Sequence, residues 1–251
     1  MTDLPAALRR LAAVDRLLVG MDFDGTLSEI VDRPDRAVPV PGAVAALVEL
    51  GGLPRMTVSV VSGRSLADLR ARLGHVDGAV MVGGHGAEWP NGGPPLSARD
   101  RERLEEVTAS LEGLAVGVDG AWVERKPHSS ALHLRRVDPV AAGELETAAA
   151  AGPARLPGVR SMIGKGIVEV SVSPATKASA VERLRRQTGA VAVLFVGDDV
   201  TDEDVFASLG EADVGVKVGD GTTAASHRVA NPTEVVDILR RLAAIRRTQG
   251  W

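Results

Sequence analysis

The chain has 251 residues, 45% apolar and 25% charged, with a net charge of −4. That is the make-up of a soluble globular protein, without the positive field that would draw nucleic acid or an anionic membrane. It contains no cysteine, which excludes disulfides, thiol catalysis and cysteine-held metal centres. No apolar run approaches the roughly 18 residues of a membrane span, and the first residues, Met1-Thr2-Asp3-Leu4-Pro5, lead into no apolar signal core. A cytoplasmic monomer is the expectation.

The first strand is predicted over Leu17–Met21, an apolar run short enough to be covered on both faces. Where it should end stand Asp22-Phe23-Asp24-Gly25-Thr26-Leu27-Ser28. Side chains at i and i+2 of extended chain share a side, so Asp22 and Asp24 are expected to face one space. Gly25 allows the backbone to turn there. Two converging acids need a cation or a proton between them. A divalent metal would suit, with one carboxylate left as nucleophile; a solvated Asp-Gly turn is the competing reading. Helical spacing then runs over residues 41–50, a strand over Met56–Val61, a helix over 65–73 and a strand over Ala79–Val82.

Beyond the Pro/Gly-rich residues 90–95 the pattern changes. A charged amphipathic helix is predicted over 99–111, followed by the apolar stretch 114–118 and the mixed segment 121–126. Residues 131–137 alternate as a half-solvated strand, 139–150 form an alanine-rich helix and 168–172 alternate again. An inserted α+β unit, an antiparallel sheet with two helices, is expected over 98–174, with Ser173-Pro174 as the second hinge. A helix over 178–187, a strand over 190–196, a helix over 202–209 and a strand over 213–218 complete the chain. Strands alternating with helices predict a doubly wound parallel α/β sheet built from residues 1–97 and 175–251. Ligands in such sheets bind at the carboxyl ends of the strands.

The remaining candidates fall at those ends. Ser62-Gly63-Arg64 follows the second strand, where a hydroxyl and a backbone N–H at a helix start suit a phosphate oxygen, or simply cap the helix. His85-Gly86-Ala87-Glu88 follows the third. After the 190–196 strand, Asp198-Asp199-Val200-Thr201-Asp202-Glu203-Asp204 packs five acids into seven residues. Thr201 reads as a helix N-cap and the later acids suit the helix dipole, but Asp198 and Asp199 precede that cap, which favours metal ligation. Only four of the 29 basic residues are lysines, Lys126, Lys165, Lys177 and Lys217, so a lysine here reads as a compact ammonium chosen over arginine. Lys177, at a helix start where the dipole disfavours a cation, is expected to point at an anion. Tyrosine is absent and aromatics are 2%, so a bound sugar would be held mainly by polar and charged side chains. The segment from Gly158 to Gly164-Lys165 is not a P-loop: five residues separate the glycines and Gly166 replaces the hydroxyl residue.

Taken together, Asp22-x-Asp24-Gly25-Thr26, Ser62, Lys177 and Gly197-Asp198-Asp199 resemble the four motifs of the haloacid-dehalogenase-like phosphatases. The run from Gly197 to Phe206, with His85-Gly86-x-Glu88, Val123-Glu124-x-Lys126, His133-x-Arg135 and Gly164-Lys165-x-x-x-Glu169, is similar to the trehalose-6-phosphate phosphatase family. The resemblance implies a Rossmann-like core with an α+β cap at 98–174, Mg²⁺ as cofactor and a sugar phosphate, trehalose 6-phosphate, as partner. It implies Asp22 as nucleophile and Asp24 as acid and base, with Ser62 and Lys177 on the phosphoryl oxygens. Metal ligands would come from Asp22, Asp24, Asp198, Asp199 and Asp202. Gly63, Arg64, His85, Glu88, Glu124, Lys126, His133, Arg135, Lys165 and Glu169 would bind substrate. The chain departs from the pattern at Glu29, at Thr176-Lys177-Ala178 and at Val170-Ser171-Val172, which bears on the sugar rather than the phosphoryl chemistry. A phosphatase for another sugar phosphate, of sucrose or glucosylglycerol type, or a phosphotransferase or mutase, remains the alternative.

Overall fold

β1 (Leu17–Met21) is buried along its whole length and lies at the centre of a six-stranded sheet. The computed structural model describes residues 3–249 apart from Pro94 and Lys165. β2 (Met56–Val61) and β3 (Ala79–Val82) extend the sheet on one side of β1. β8 (Ala192–Gly197), β9 (Val214–Val218) and β10 (His227–Val229) extend it on the other. Every pairing in this sheet is parallel. The strand order reverses at β1 and β8, and the crevice at such a switch point is where ligands sit in open α/β sheets.

Side chains alternate between two apolar layers, as the period of a strand requires. Leu17, Val19 and Met21 join Leu194, Val196, Val58 and Val60 on one face. There they meet helices α1 (Leu4–Ala12), α2 (Ala43–Gly51), α3 (Leu66–Leu73) and α8 (Pro232–Thr248). Leu18, Val193 and Phe195 face α6 (Lys177–Thr188) and α7 (Val200–Ser208) on the other. Burial on both faces is why these strands read as continuous apolar runs. The doubly wound parallel core expected from the sequence is what forms.

Residues 92–174 make a second compact unit, and the segments up to 91 and from 175 make the first. In the second unit β4 (Trp122–Arg125), β5 (Ser129–His133), β7 (Ile167–Ser171) and β6 (Arg160–Gly164) form an antiparallel sheet in that order. Leu132, Val168 and Val170 pack from one face of it onto Val107 and Leu111 of α4 (Ala98–Ala115) and Leu145 and Ala149 of α5 (Pro139–Ala151). Three expectations shift. The strand expected at 131–137 starts at Ser129, ends at His133 and is buried throughout rather than half solvated. Its polar side chains are internally paired, Ser130 with Thr108 and Ser129 with Glu169, so polarity does not track exposure. β6, mostly exposed, pairs with β7 where the sequence had offered only a false phosphate loop. The apolar run that begins at residue 114 opens as the last turn of α4.

Candidate active site

β1 stops because its next residues turn. The Asp22 N–H donates to Val196 O at 3.0 Å, and the Phe23 carbonyl then accepts from Leu27 and Ser28. Phe23 N–H donates to Asp22 Oδ1 at 2.7 Å, which fixes the carboxylate against its own backbone. Gly25 has φ +78°, and a Cβ on it would collide with the Asp198 carboxylate. The loops after β1 and β8 are therefore in van der Waals contact, and only glycine fits at that point.

α6 supplies the cation. Thr176 and Ser179 form a reciprocal capping box at its start, which leaves Lys177 as the first helical residue, 2% exposed. Its Nζ lies 2.7 Å from Asp22 Oδ2 and 2.9 Å from Asp202 Oδ1. The second oxygen of Asp202 accepts the backbone N–H groups of Asp198 and Asp199 at 3.1 and 3.0 Å. α7 begins at Val200 with Asp199 as N-cap, so Thr201 is not the cap; its hydroxyl is buried with no hydrogen-bond partner among the described residues. Asp22, Asp198 and Asp202 each offer a carboxylate oxygen within 4.8 Å of the others. Burial pushes the Asp22 carboxyl well up, opposed by Lys177 and reinforced by Asp202 and Asp198. Against burial, Asp202 and Asp22 hold the Lys177 ammonium above its ordinary value. An all-oxygen set of this kind fits a hard divalent cation such as Mg²⁺.

Asp24 does not join that cluster through its carboxylate. Arg64 Nε and Nη2 each reach one of its oxygens at 2.7 Å, a bidentate pair, and Arg64 also bonds Asp68. Burial would lower the Arg64 pKa, but Asp24 and Asp68 outweigh it and the group is raised. Ser62, 1% exposed, directly follows β2, and its Oγ accepts the Arg64 N–H at 3.2 Å. A Cβ on Gly63 would collide with the His85 ring, and His85 holds a left-handed backbone at φ 53°, a conformation that costs a non-glycine residue free energy. Glu88 accepts the Leu66 N–H at 2.9 Å and so helps to cap α3.

The other expected residues lie on the second unit. On the face of its sheet away from α4 and α5, Lys126 Nζ meets Glu169 Oε2 at 2.8 Å and Ser129 Oγ donates to Glu169 Oε1 at 2.7 Å. His133 Nε2 is 3.0 Å from Glu124 Oε2. Its ring stacks on Trp122 at 3.9 Å between centroids. Burial raises the Glu124 carboxyl, but the His133 hydrogen bond and the Lys126 charge outweigh it and hold the group below 4.5. Arg135 lies beyond β5, exposed, and Lys165 lies outside the described residues. Trp122 and Ser129 were missed. One of only three tryptophans in an aromatic-poor chain was the available signal, and its pairing with His133 required the strand register.

Solved structures share this chain course. One is a phosphatase of the haloalkanoate (HAD) enzyme superfamily from Bacteroides thetaiotaomicron, with TM-score 0.60, 13% identity, and coverage of 92% of this chain and 96% of its own. The C-terminal domain of the Candida albicans trehalose-6-phosphate phosphatase superposes with TM-score 0.83 at 24% identity, over 97% of both chains. The Aspergillus fumigatus trehalose-6-phosphate phosphatase gives 0.66 at 27%, over 97% and 98%. The trehalose-phosphatase family profile matches residues 20–243. The trehalose-phosphate phosphatase of Mycobacterium marinum is 35% identical over all of this chain and 68% of its own length. That of Mycobacterium avium is 34% identical over 97% and 68%. The chain belongs to the trehalose-phosphatase family and is a phosphoric monoester hydrolase.

Proposed function

We propose that the protein hydrolyses trehalose 6-phosphate to trehalose and phosphate through a phosphoryl group carried on Asp22, and that it does so as a cytoplasmic monomer. The observation that carries the chemistry is the Lys177 ammonium 2.7 Å from Asp22 Oδ2, with the Asp198 and Asp202 carboxylates beside it. An Asp22 oxygen attacks phosphorus as the bond to the sugar oxygen breaks, and Asp24 gives that oxygen a proton. Water then attacks the aspartyl-phosphate, its proton passes to Asp24, and the Asp22 carboxylate is restored. Ser62, the Gly63 N–H and Lys177 bind the phosphoryl oxygens, where their charge and dipoles stabilise what develops in the transition state. Mg²⁺, held by Asp22, Asp198 and the Asp24 backbone carbonyl with Asp202 and Asp199 behind, would supply further positive charge to those oxygens. Arg64 orients Asp24, and His85 and Glu88 shape the rim above Ser62.

The second unit acts as the cap that recognises sugar. Glu124, Lys126, His133, Arg135, Lys165 and Glu169 offer donors and acceptors to hydroxyls, and an unmatched buried polar group costs about 1–3 kcal/mol. The trehalose-phosphate phosphatase of Mycobacterium marinum at 35% identity and the trehalose-6-phosphate phosphatase of Aspergillus fumigatus at 27% support trehalose 6-phosphate among sugar phosphates. Phosphate release from trehalose 6-phosphate, sucrose 6-phosphate and glucosylglycerol phosphate, with Mg²⁺ and with a chelator, tests the reading. Trehalose 6-phosphate should be favoured, chelation should abolish release, and Asp22→Asn should lose about three orders of magnitude or more in turnover. Preference for another of the three esters, or wild-type-like turnover by Asp22→Asn, would refute it.

A further inference from the structure

Lys217 has no part in the phosphoryl chemistry described so far, yet it is one of four lysines in an arginine-rich chain and is 5% exposed. It stands in β9 directly beside Gly197 of β8. Its Nζ donates to the backbone carbonyl of Asp198 at 2.6 Å and to Glu203 Oε1 at 3.1 Å. The other Glu203 oxygen accepts from Thr223 Oγ1 at 3.1 Å and from the Ala224 N–H at 2.9 Å, both in the loop after β9. Seen with Asp202, the consequence is specific. The N–H groups of Asp198 and Asp199 are held by Asp202 Oδ2, and the carbonyl between them is held by Lys217. Both peptide groups flanking the Asp198 side chain are thus fixed by buried charged groups. The Gly25 backbone closes the space beside the carboxylate.

We infer that Lys217, steadied by Glu203 and the 223–224 loop, is a positioning residue that presets the Asp198 carboxylate for the cation. A short, compact ammonium reaches a buried carbonyl that a planar guanidinium would not fit. Groups that orient a metal ligand without touching the metal commonly govern affinity about as strongly as this assignment requires. The inference rests on Asp198 as a cation ligand, so the experiment carries its own reference. Mg²⁺ binding to the full chain is measured calorimetrically, without substrate, for wild type, Asp198→Asn, Lys217→Met, Glu203→Gln and the Lys217→Met/Glu203→Gln double variant.

Lys217→Met should weaken Mg²⁺ binding about tenfold or more, while the KM for substrate at saturating Mg²⁺ stays unchanged. Glu203→Gln should weaken it less, and the double variant should add little to Lys217→Met, because both act through one chain of contacts. A merely structural lysine would lower the melting temperature and leave Mg²⁺ affinity at wild-type strength; that result, with Asp198→Asn weakened, overturns the inference. Should Lys217→Met fail to fold, Glu203→Gln decides alone, and unchanged affinity in it overturns the inference equally. Wild-type Mg²⁺ binding by Asp198→Asn would overturn the cation reading and this inference together, whatever the sugar substrate proves to be.

Discussion

Gly25 is the position with least room for change. Its left-handed backbone and its contact with Asp198 make two separate demands, one on conformation and one on space. Alanine there meets a conformational cost of about 1–2 kcal/mol and pushes the Asp198 carboxylate away from Asp22. Gly25→Ala should therefore lose turnover about 100-fold or more, since misplacement by about 1 Å costs that much, while its melting temperature falls only modestly. Kinetics and thermal melts on the same preparation check this; parallel loss of both would mean that Gly25 serves stability alone. At the same scale, Glu124 carries a pH signature. Its folded pKa is depressed below 4.5, so its contribution is present above 4.5 and is lost as pH falls through the folded value. The melting-temperature gap between wild type and Glu124→Gln should be open at neutral pH and narrow below about 4.5. Single residues were unevenly legible. Asp22, Lys177 and Asp198 announced themselves by type and place at strand or helix ends. The Arg64 pair with Asp24 did not, because it spans 40 positions and depends on side-chain reach that no local pattern encodes.

Elements buried on both faces were read to within a residue or two, since continuous apolar runs such as those of β1 and β2 leave little choice. Elements of the second unit were harder. β5 carries Ser129, Ser130 and His133 inside, each satisfied by a partner, so alternation of polarity no longer reports which side is buried. β6 is an exposed edge strand whose sequence has little β character, and only its pairing with β7 defines it. The polar face of this sheet away from α4 and α5 is where sugar selectivity is expected to reside. Glu169 holds both Lys126 and Ser129, so Glu169→Ala unmakes the arrangement in one step. It should reduce kcat/KM for trehalose 6-phosphate at least about tenfold, with far less effect on a small aryl phosphate. Equal loss on both substrates would remove Glu169 from sugar recognition.

At the scale of the molecule, the two units differ in how the chain makes them. Residues 92–174 are continuous and own an apolar cluster drawn from α4, α5, β5 and β7. A fragment of those residues should fold alone, with native-like far-UV circular dichroism and a cooperative melt, though of marginal stability at that size. A non-cooperative melt would show that its core is insufficient. The first unit offers no such fragment, because β1 pairs with β2 from the segment before the insert and with β8 from the segment after it. The alternation of strands and helices made that class of sheet legible, whereas the reversal of strand order at β1 and β8 is a fact of topology that appears only in three dimensions.

The pairing of β1 with β8 also governs when reactivity can arise during synthesis. Asp22 leaves the ribosome before Lys177, Asp198 and Asp202, which follow it by more than 150 residues. A nascent chain halted in between carries Asp22 without the ammonium and the acids that surround it in the folded protein. With Asp22 as the proposed phosphoryl carrier, truncated translation products should be inert towards phosphate esters, and reactivity should arise only when the strand before Asp198 threads beside the first.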